Sequence, residues 1–149
     1  MKIQKTVDLH NKKAKFEYAL LDIYNAGIIL TGTEIKSVRE GKVALSDAYA
    51  LIDKGEVILK NLNISIYENG THYNHEPLRD RKLLLNKREI KKLASKLLDK
   101  GLTLIPTRFY INEKGLAKVD IALAKGKKLY DKRNTIKDRD VSRDIERDN

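Results

Sequence analysis

Few residues in this chain have types that could carry chemistry, and the tightest group is His72, His75 and Glu76. Two imidazoles and a carboxylate can hold a zinc ion. The zinc-hydrolase pattern, however, sets its histidines four apart on one helix face. Here they stand three apart in a run from Tyr67 to Lys82 that has no hydrophobic period. The remaining histidine, His10, lies near the start of the chain. Imidazoles and tyrosines in a basic loop are better suited to stacking on bases or meeting phosphate. A run this long between periodic segments reads as a functional loop.

Glu34 could be a general acid or base, but no catalytic partner is close to it in sequence, and a carboxylate in the first turn of a helix is explained by the helix dipole. No nucleophile elbow, phosphate-cradling glycine loop or paired-carboxylate motif occurs. The chain has no cysteine, which removes disulfide and thiolate chemistry. The expectation is therefore a binding protein and not an enzyme, with no cofactor and no metal. A metal-dependent ribonuclease using Asp138 and Asp140 is the weakest of the alternatives.

What the chain has in quantity is positive charge, a formal +10 over 149 residues. A field of that size attracts polyanions, with nucleic acid ahead of an anionic membrane surface. Five cations, Lys125, Lys127, Lys128, Lys132 and Arg133, fall within nine residues and flank Leu129-Tyr130. Cations interleaved with an aromatic suit a nucleic-acid backbone and an exposed base. Further on, Arg139, Arg143 and Arg147 recur every four residues and would line one face of a helix, supported by Asp140–Arg143 and Asp144–Arg147 pairs. Too few apolar residues follow Tyr130 to offset the entropy of ordering this segment alone. The reading is one domain over 1–124 and a basic tail over 125–149, disordered when free and helical on contact with a large polyanion.

The elements that must position these groups are mostly strands. Phe16, Tyr18 and Leu20 alternate in strand period, and Ala26 to Leu30 continues after a bend at Asn25 to Gly27. A short helix follows with Thr33 as N-cap and Gly41 at its end. Asp47 to Ile52 and Glu56 to Lys60 form a hairpin about Asp53-Lys54-Gly55, and Asn61 to Ile66 extends the meander. Asn86 with Glu89 opens the clearest helix, whose apolar face is Ile90, Leu93, Ala94, Leu97 and Leu98 and whose stop is Gly101. Leu102 to Ile105, Arg108 to Ile111 and Leu116 to Leu123 are strands, the last two joined at Asn112 to Gly115. About six strands with flanking helices suit a small, mostly β, antiparallel barrel of the oligonucleotide-binding type. An α+β open sheet is the competing architecture.

Several of these segments, in this order, resemble the small protein B (SmpB, SsrA-binding protein) family. They are Asn11-Lys12-Lys13-Ala14, Ala26-Gly27-Ile28, Leu30 to Ser37, Arg39-Glu40-Gly41, Asn74-His75, Arg81 to Leu85, Lys87 to Ile90, Gly101 to Pro106, and Gly126-Lys127-Lys128 with Asp131-Lys132-Arg133. The resemblance implies a cytoplasmic adaptor that binds the tRNA-like domain of transfer-messenger RNA and brings it to stalled ribosomes. There the tail occupies the vacant decoding site and messenger channel of the small subunit, so that nascent chains are tagged for degradation and ribosomes recycled.

The resemblance places Asn11, Lys12, Lys13, Gly32, Thr33, Glu34, Lys36, Asn74, His75, Arg81, Lys82 and Lys125 in the RNA-facing body. Gly126, Lys127, Lys128, Tyr130, Asp131, Lys132, Arg133, Lys137, Arg139, Arg143 and Arg147 fall in the ribosome-directed tail. Some relatives have histidine where Tyr130 stands, which leaves stacking as its role. Elongation factor Tu and alanyl-tRNA synthetase are implied as indirect partners through the RNA, with a monomeric protein and no membrane. A constitutive ribosomal structural protein is the alternative from another class.

Overall fold

The computed structural model describes residues 7–68 and 74–126. The sequence-predicted tail from Lys127 onward, and His72 with Tyr73, lie outside the described residues. The described chain runs β1 (Asp8–His10), α1 (Lys12–Glu17), β2 (Tyr18–Ile28), α2 (Gly32–Arg39), β3 (Val43–Ala44), β4 (Tyr49–Asp53), β5 (Glu56–Lys60), β6 (Asn63–Ile64), β7 (Arg81–Leu84), α3 (Lys87–Lys96), β8 (Leu102–Ile111) and β9 (Ala117–Gly126).

The main sheet has the order β1-β8-β4-β5-β7-β2-β9, and β9 also pairs with β8. That last pairing closes β8, β4, β5, β7, β2 and β9 into a six-stranded antiparallel barrel, the architecture expected from the sequence. Closure is uneven, because β2 meets β7 only at Gly27 and Ile28 and β4 meets β8 only at Ala50 and Leu104. Strand β1 lies beside β8 over Arg108 to Tyr110, while β3 and β6 form a separate two-stranded sheet.

Alternation along the strands fills the interior. Leu59, Leu83, Leu104, Phe109 and Ile121 are fully or almost fully buried, and Leu93 of α3 closes over them with Ile90 and Leu97 packed at its sides. A second apolar cluster sits where Ala14 of α1 meets Ile105 and Ala124. Small side chains there let α1 lie close to β8 and β9. Among the described residues no helix is long and apolar enough to cross a membrane.

Several local expectations hold. Lys54 and Gly55 both have positive φ, 52° and 78°, as a tight two-residue hairpin between twisted strands requires. Gly41 ends α2 with φ 75°, and Asn86 and Glu89 form a complete capping box for α3.

Others are corrected. Lys12 to Glu17 is helix, so the first long strand starts at Tyr18 and Phe16 is 81% exposed. Asn11, by capping this helix, overrides the alternation that Phe16 suggested. The irregularity in β2 falls between Leu20 and Asp22, and Asn25 to Gly27 continue in register against β9. Thr31 is the N-cap of α2, because Thr31 and Glu34 complete a capping box and Thr33 has no acid three residues on. Helix α3 ends at Lys96, leaving Leu98 82% exposed. Residues either side of Pro106 belong to one strand, with a bulge between Pro106 and Arg108 that accommodates a residue lacking an N–H. Strand β9 runs through Lys125 and Gly126, two residues past the body boundary expected at 124.

Candidate nucleic-acid interface

The first turn of α2 and the segment 74–82 meet around one carboxylate. Glu34 Oε1 accepts from the Thr31 N–H at 2.8 Å, closing the capping box, and from Arg79 Nη2 at 2.7 Å. Its Oε2 accepts from Arg79 Nε at 3.0 Å and from Arg81 Nε at 2.7 Å. Arg81 in turn donates to the carbonyls of Leu62 at 2.6 Å and Pro77 at 3.1 Å. One buried anion thus ties together a helix start, the chain before β6, and the strand β7.

The charge balance at Glu34 is unusual for an interior position. Burial acts to raise its pKa, but the Arg79 hydrogen bonds, the Thr31 N–H and Arg81 outweigh it and hold the carboxyl at about 2. Burial pulls Arg81 down from its ordinary value while the hydrogen bond to Glu34 holds it up. Glu34 raises Arg79. Two guanidinium groups around one carboxylate leave a net positive charge, and Arg79 is the member with surface to show for it.

Beside this lock, His75 joins α2 to β6. Its Nε2 is 2.9 Å from the Ile64 carbonyl, which can only accept, so Nε2 carries the proton. In the neutral ring, Nδ1 then accepts from the Thr33 hydroxyl at 2.9 Å. Asn74 pins the other side, with Oδ1 accepting from the Tyr67 N–H at 3.1 Å and Nδ2 donating to the Tyr67 carbonyl at 2.8 Å. The Tyr67 ring so fixed lies under Lys36, whose Nζ is 5.4 Å from the ring centroid.

A second group forms around α1. Asn11 Oδ1 accepts from the Ala14 N–H at 3.1 Å, while Nδ2 donates to the carbonyls of Pro106 at 2.9 Å and Leu45 at 3.3 Å. Lys12 and Lys13 project from that brace, Lys13 toward Asp47 at 3.4 Å. The two groups are linked through β3 and β6, since Leu45 follows β3 and Ile64 lies on β6.

The structure therefore sorts the expected body residues into two kinds. Asn11, Glu34, His75 and Arg81 are buried, and their polar atoms are engaged within the protein. Lys12, Lys13, Gly32, Lys36 and Lys82 are exposed, Lys82 pairing with Glu56 at 2.8 Å, and Thr33, Asn74 and Lys125 are half-buried. Lys125 sits in β9 opposite Ala19 and Leu102. Gly126 ends that strand, and the remaining tail candidates, Lys127, Lys128, Tyr130, Asp131, Lys132, Arg133, Lys137, Arg139, Arg143 and Arg147, lie outside the described residues. For the metal reading, both ring nitrogens of His75 face protein partners.

Sequence reasoning leaves Arg79 out of the RNA-facing set. Its signal was the spacing to Arg81, because residues two apart in an extended segment point the same way.

A family model described as SmpB protein matches residues 8–149. The chain belongs to the SmpB family. Among SmpB relatives, the SsrA-binding protein of Cytophaga hutchinsonii is 55% identical over 145 residues, covering 97% of this chain and 95% of that protein. The SsrA-binding protein of Bacteroides thetaiotaomicron is 54% identical over 144 residues, covering 97% and 96%. The fold is similar, at TM-score 0.73 and 47% identity, to a chain from the structural study "tmRNA-SmpB: a journey to the center of the bacterial ribosome". That similarity covers 95% of this SmpB chain and 99% of the solved one.

Proposed function

We propose that this protein is a non-catalytic RNA adaptor of trans-translation that binds the tRNA-like domain of transfer-messenger RNA and carries it to stalled ribosomes. The observation that carries the reading is the pre-ordered cationic surface around α2 and 74–82 in a chain of the SmpB family. Relatives named SsrA-binding protein, and the likeness to a chain from a tmRNA-SmpB study of the ribosome, support it.

In this account the body meets RNA through Lys12, Lys13, Gly32, Thr33, Lys36, Asn74, Lys82 and Lys125. Asn11, Glu34, His75 and Arg81 act from inside by holding that surface in place. Pre-ordering matters because phosphate contacts are individually weak and each unfixed lysine costs entropy on binding. Arg79 joins the surface, its guanidinium oriented by Glu34. The segment from Lys127 onward, with Arg139, Arg143 and Arg147, is directed at the decoding site and messenger channel of the small subunit. Tagging of nascent chains for degradation follows from that second contact. The protein works as a cytoplasmic monomer, and elongation factor Tu and alanyl-tRNA synthetase meet it through the RNA.

Truncation after Gly126, which keeps β9 whole, tests the two-part account. Binding to transfer-messenger RNA is retained and tagging of stalled chains is lost. Loss of RNA binding together with tagging contradicts it.

A further inference from the structure

A cleft of about 290 Å³ opens between α1, the turn before β4 and strand β8. Its floor is Ala14, Ala48 and Ile105, all buried, and Tyr18 and Tyr49 line its sides. That volume is at the small end of ligand pockets, which run from about 300 to 1,000 Å³ and are apolar inside with a few placed polar groups. It suits one flat ring system. A floor built of two alanines and an isoleucine leaves room that larger side chains would fill.

The rim has the wrong charge for phosphate. Glu17 and Asp47 stand there with only Lys13, which reaches Asp47 at 3.4 Å, in a chain whose net charge is +10. A carboxylate is acceptor-only, so it repels a phosphate and takes N–H donors. Aromatic walls with acceptors at the mouth are the means by which proteins hold an unstacked RNA base and read its Watson–Crick edge. Guanine is the base that presents two adjacent donors on that edge, N1–H and the N2 amino group, which one carboxylate can accept together.

The geometry points to this cleft as a pocket for a single unstacked guanine of a single-stranded RNA segment. Tyr49 provides the stacking face and Asp47 accepts from N1–H and N2–H, while Lys13 holds the Asp47 carboxylate over the mouth. This rests on the RNA-binding reading above and adds a base-specific contact to a surface otherwise directed at phosphate.

The test titrates the full chain with three short single-stranded RNAs, UUGUU, UUAUU and the same pentamer with central inosine, following affinity and backbone amide shifts. Guanine binds about tenfold or more tighter than adenine, as an edge-specific base contact gives. Inosine, lacking the N2 amino group, falls between them, and the amides of Ala14, Asp47 and Tyr49 shift. Asp47→Asn removes the guanine preference, and Tyr49→Ala weakens all three RNAs. Equal affinity for the three pentamers, or shifts confined elsewhere, overturns the proposal. So does displacement of the cleft shifts by N-acetyl-arginine amide with no guanine preference, which would assign the cleft to a protein side chain. Binding to transfer-messenger RNA in parallel keeps the readings apart. If that RNA binds while the pentamers show no preference, the guanine pocket alone fails, and if neither binds, the RNA reading fails as well.

Discussion

Arg81 Nε stands 2.7 Å from Glu34 Oε2, and neither side chain has any exposed surface. The contact joins residues 47 positions apart in sequence. A buried ion pair is an expensive way to hold a fold, since desolvation offsets much of the attraction. Its geometric specificity is what makes it useful here. It fixes the angle between α2 and β7, and with it where Lys36, Arg79 and Lys82 stand.

Breaking the lock from the anion side strands two guanidinium groups. Glu34→Gln is expected to destabilise the body by about 3–5 kcal/mol, the cost of leaving a buried charge uncompensated. Urea unfolding checks this through a lower midpoint at unchanged slope, and an unchanged midpoint contradicts it.

The same group sets an acid limit. Glu34 has a folded pKa of about 2 against an ordinary 4.5, so its contribution is present above pH 4.5 and is lost as pH falls toward 2. The lost stability is about 3 kcal/mol, from about 1.4 kcal/mol per unit. Asp8 and Asp22, held down by hydrogen bonds from Arg108 and Lys96, are lost with the same sign. The difference between wild type and Glu34→Gln isolates Glu34. It shrinks between pH 6 and pH 3 if the account is right, and stays constant if Glu34 titrates normally.

Two helix caps offer a controlled comparison. Asn86 is an exposed cap, and its replacement by Ala costs about 1 kcal/mol. Asn11 caps α1 and also satisfies the Pro106 and Leu45 carbonyls. Asn11→Ala is expected to cost about 2–4 kcal/mol, the cap plus buried acceptors left unpaired. Equal costs for the two would show that Asn11 does no more than cap.

Lys36 separates recognition from stability. It is exposed, and its described contact is with the Tyr67 ring. Lys36→Ala leaves the unfolding midpoint nearly unchanged but reduces the salt slope of RNA binding by about 1, the signature of one lost phosphate contact. An unaltered slope removes Lys36 from the interface.

What could be read from the sequence was what local chemistry determines. The Lys54-Gly55 turn and the Asn86/Glu89 box carry their signals within four residues, and both formed as expected. The Phe16 strand failed because Asn11, a single side chain bonded to Leu45 and Pro106, committed the following residues to helix. Alternation at Phe16 and Tyr18 could not reveal contacts 34 and 95 positions away. Likewise Glu34 could be read as a first-turn carboxylate, which it is, but not as the centre of a lock whose cations arrive 45 and 47 residues later. The exposed lysines of the candidate surface were legible by type. The buried residues that aim them became visible only when the barrel closed.

The most direct test of the adaptor account is binding of the full chain to transfer-messenger RNA against an equal length of unrelated structured RNA, across a salt series. Both complexes weaken as salt rises, because phosphate contacts release counterions. The account predicts that transfer-messenger RNA remains bound at salt where the competitor has dissociated. Superimposed salt curves would contradict it, leaving the charge of this chain as a non-specific attraction.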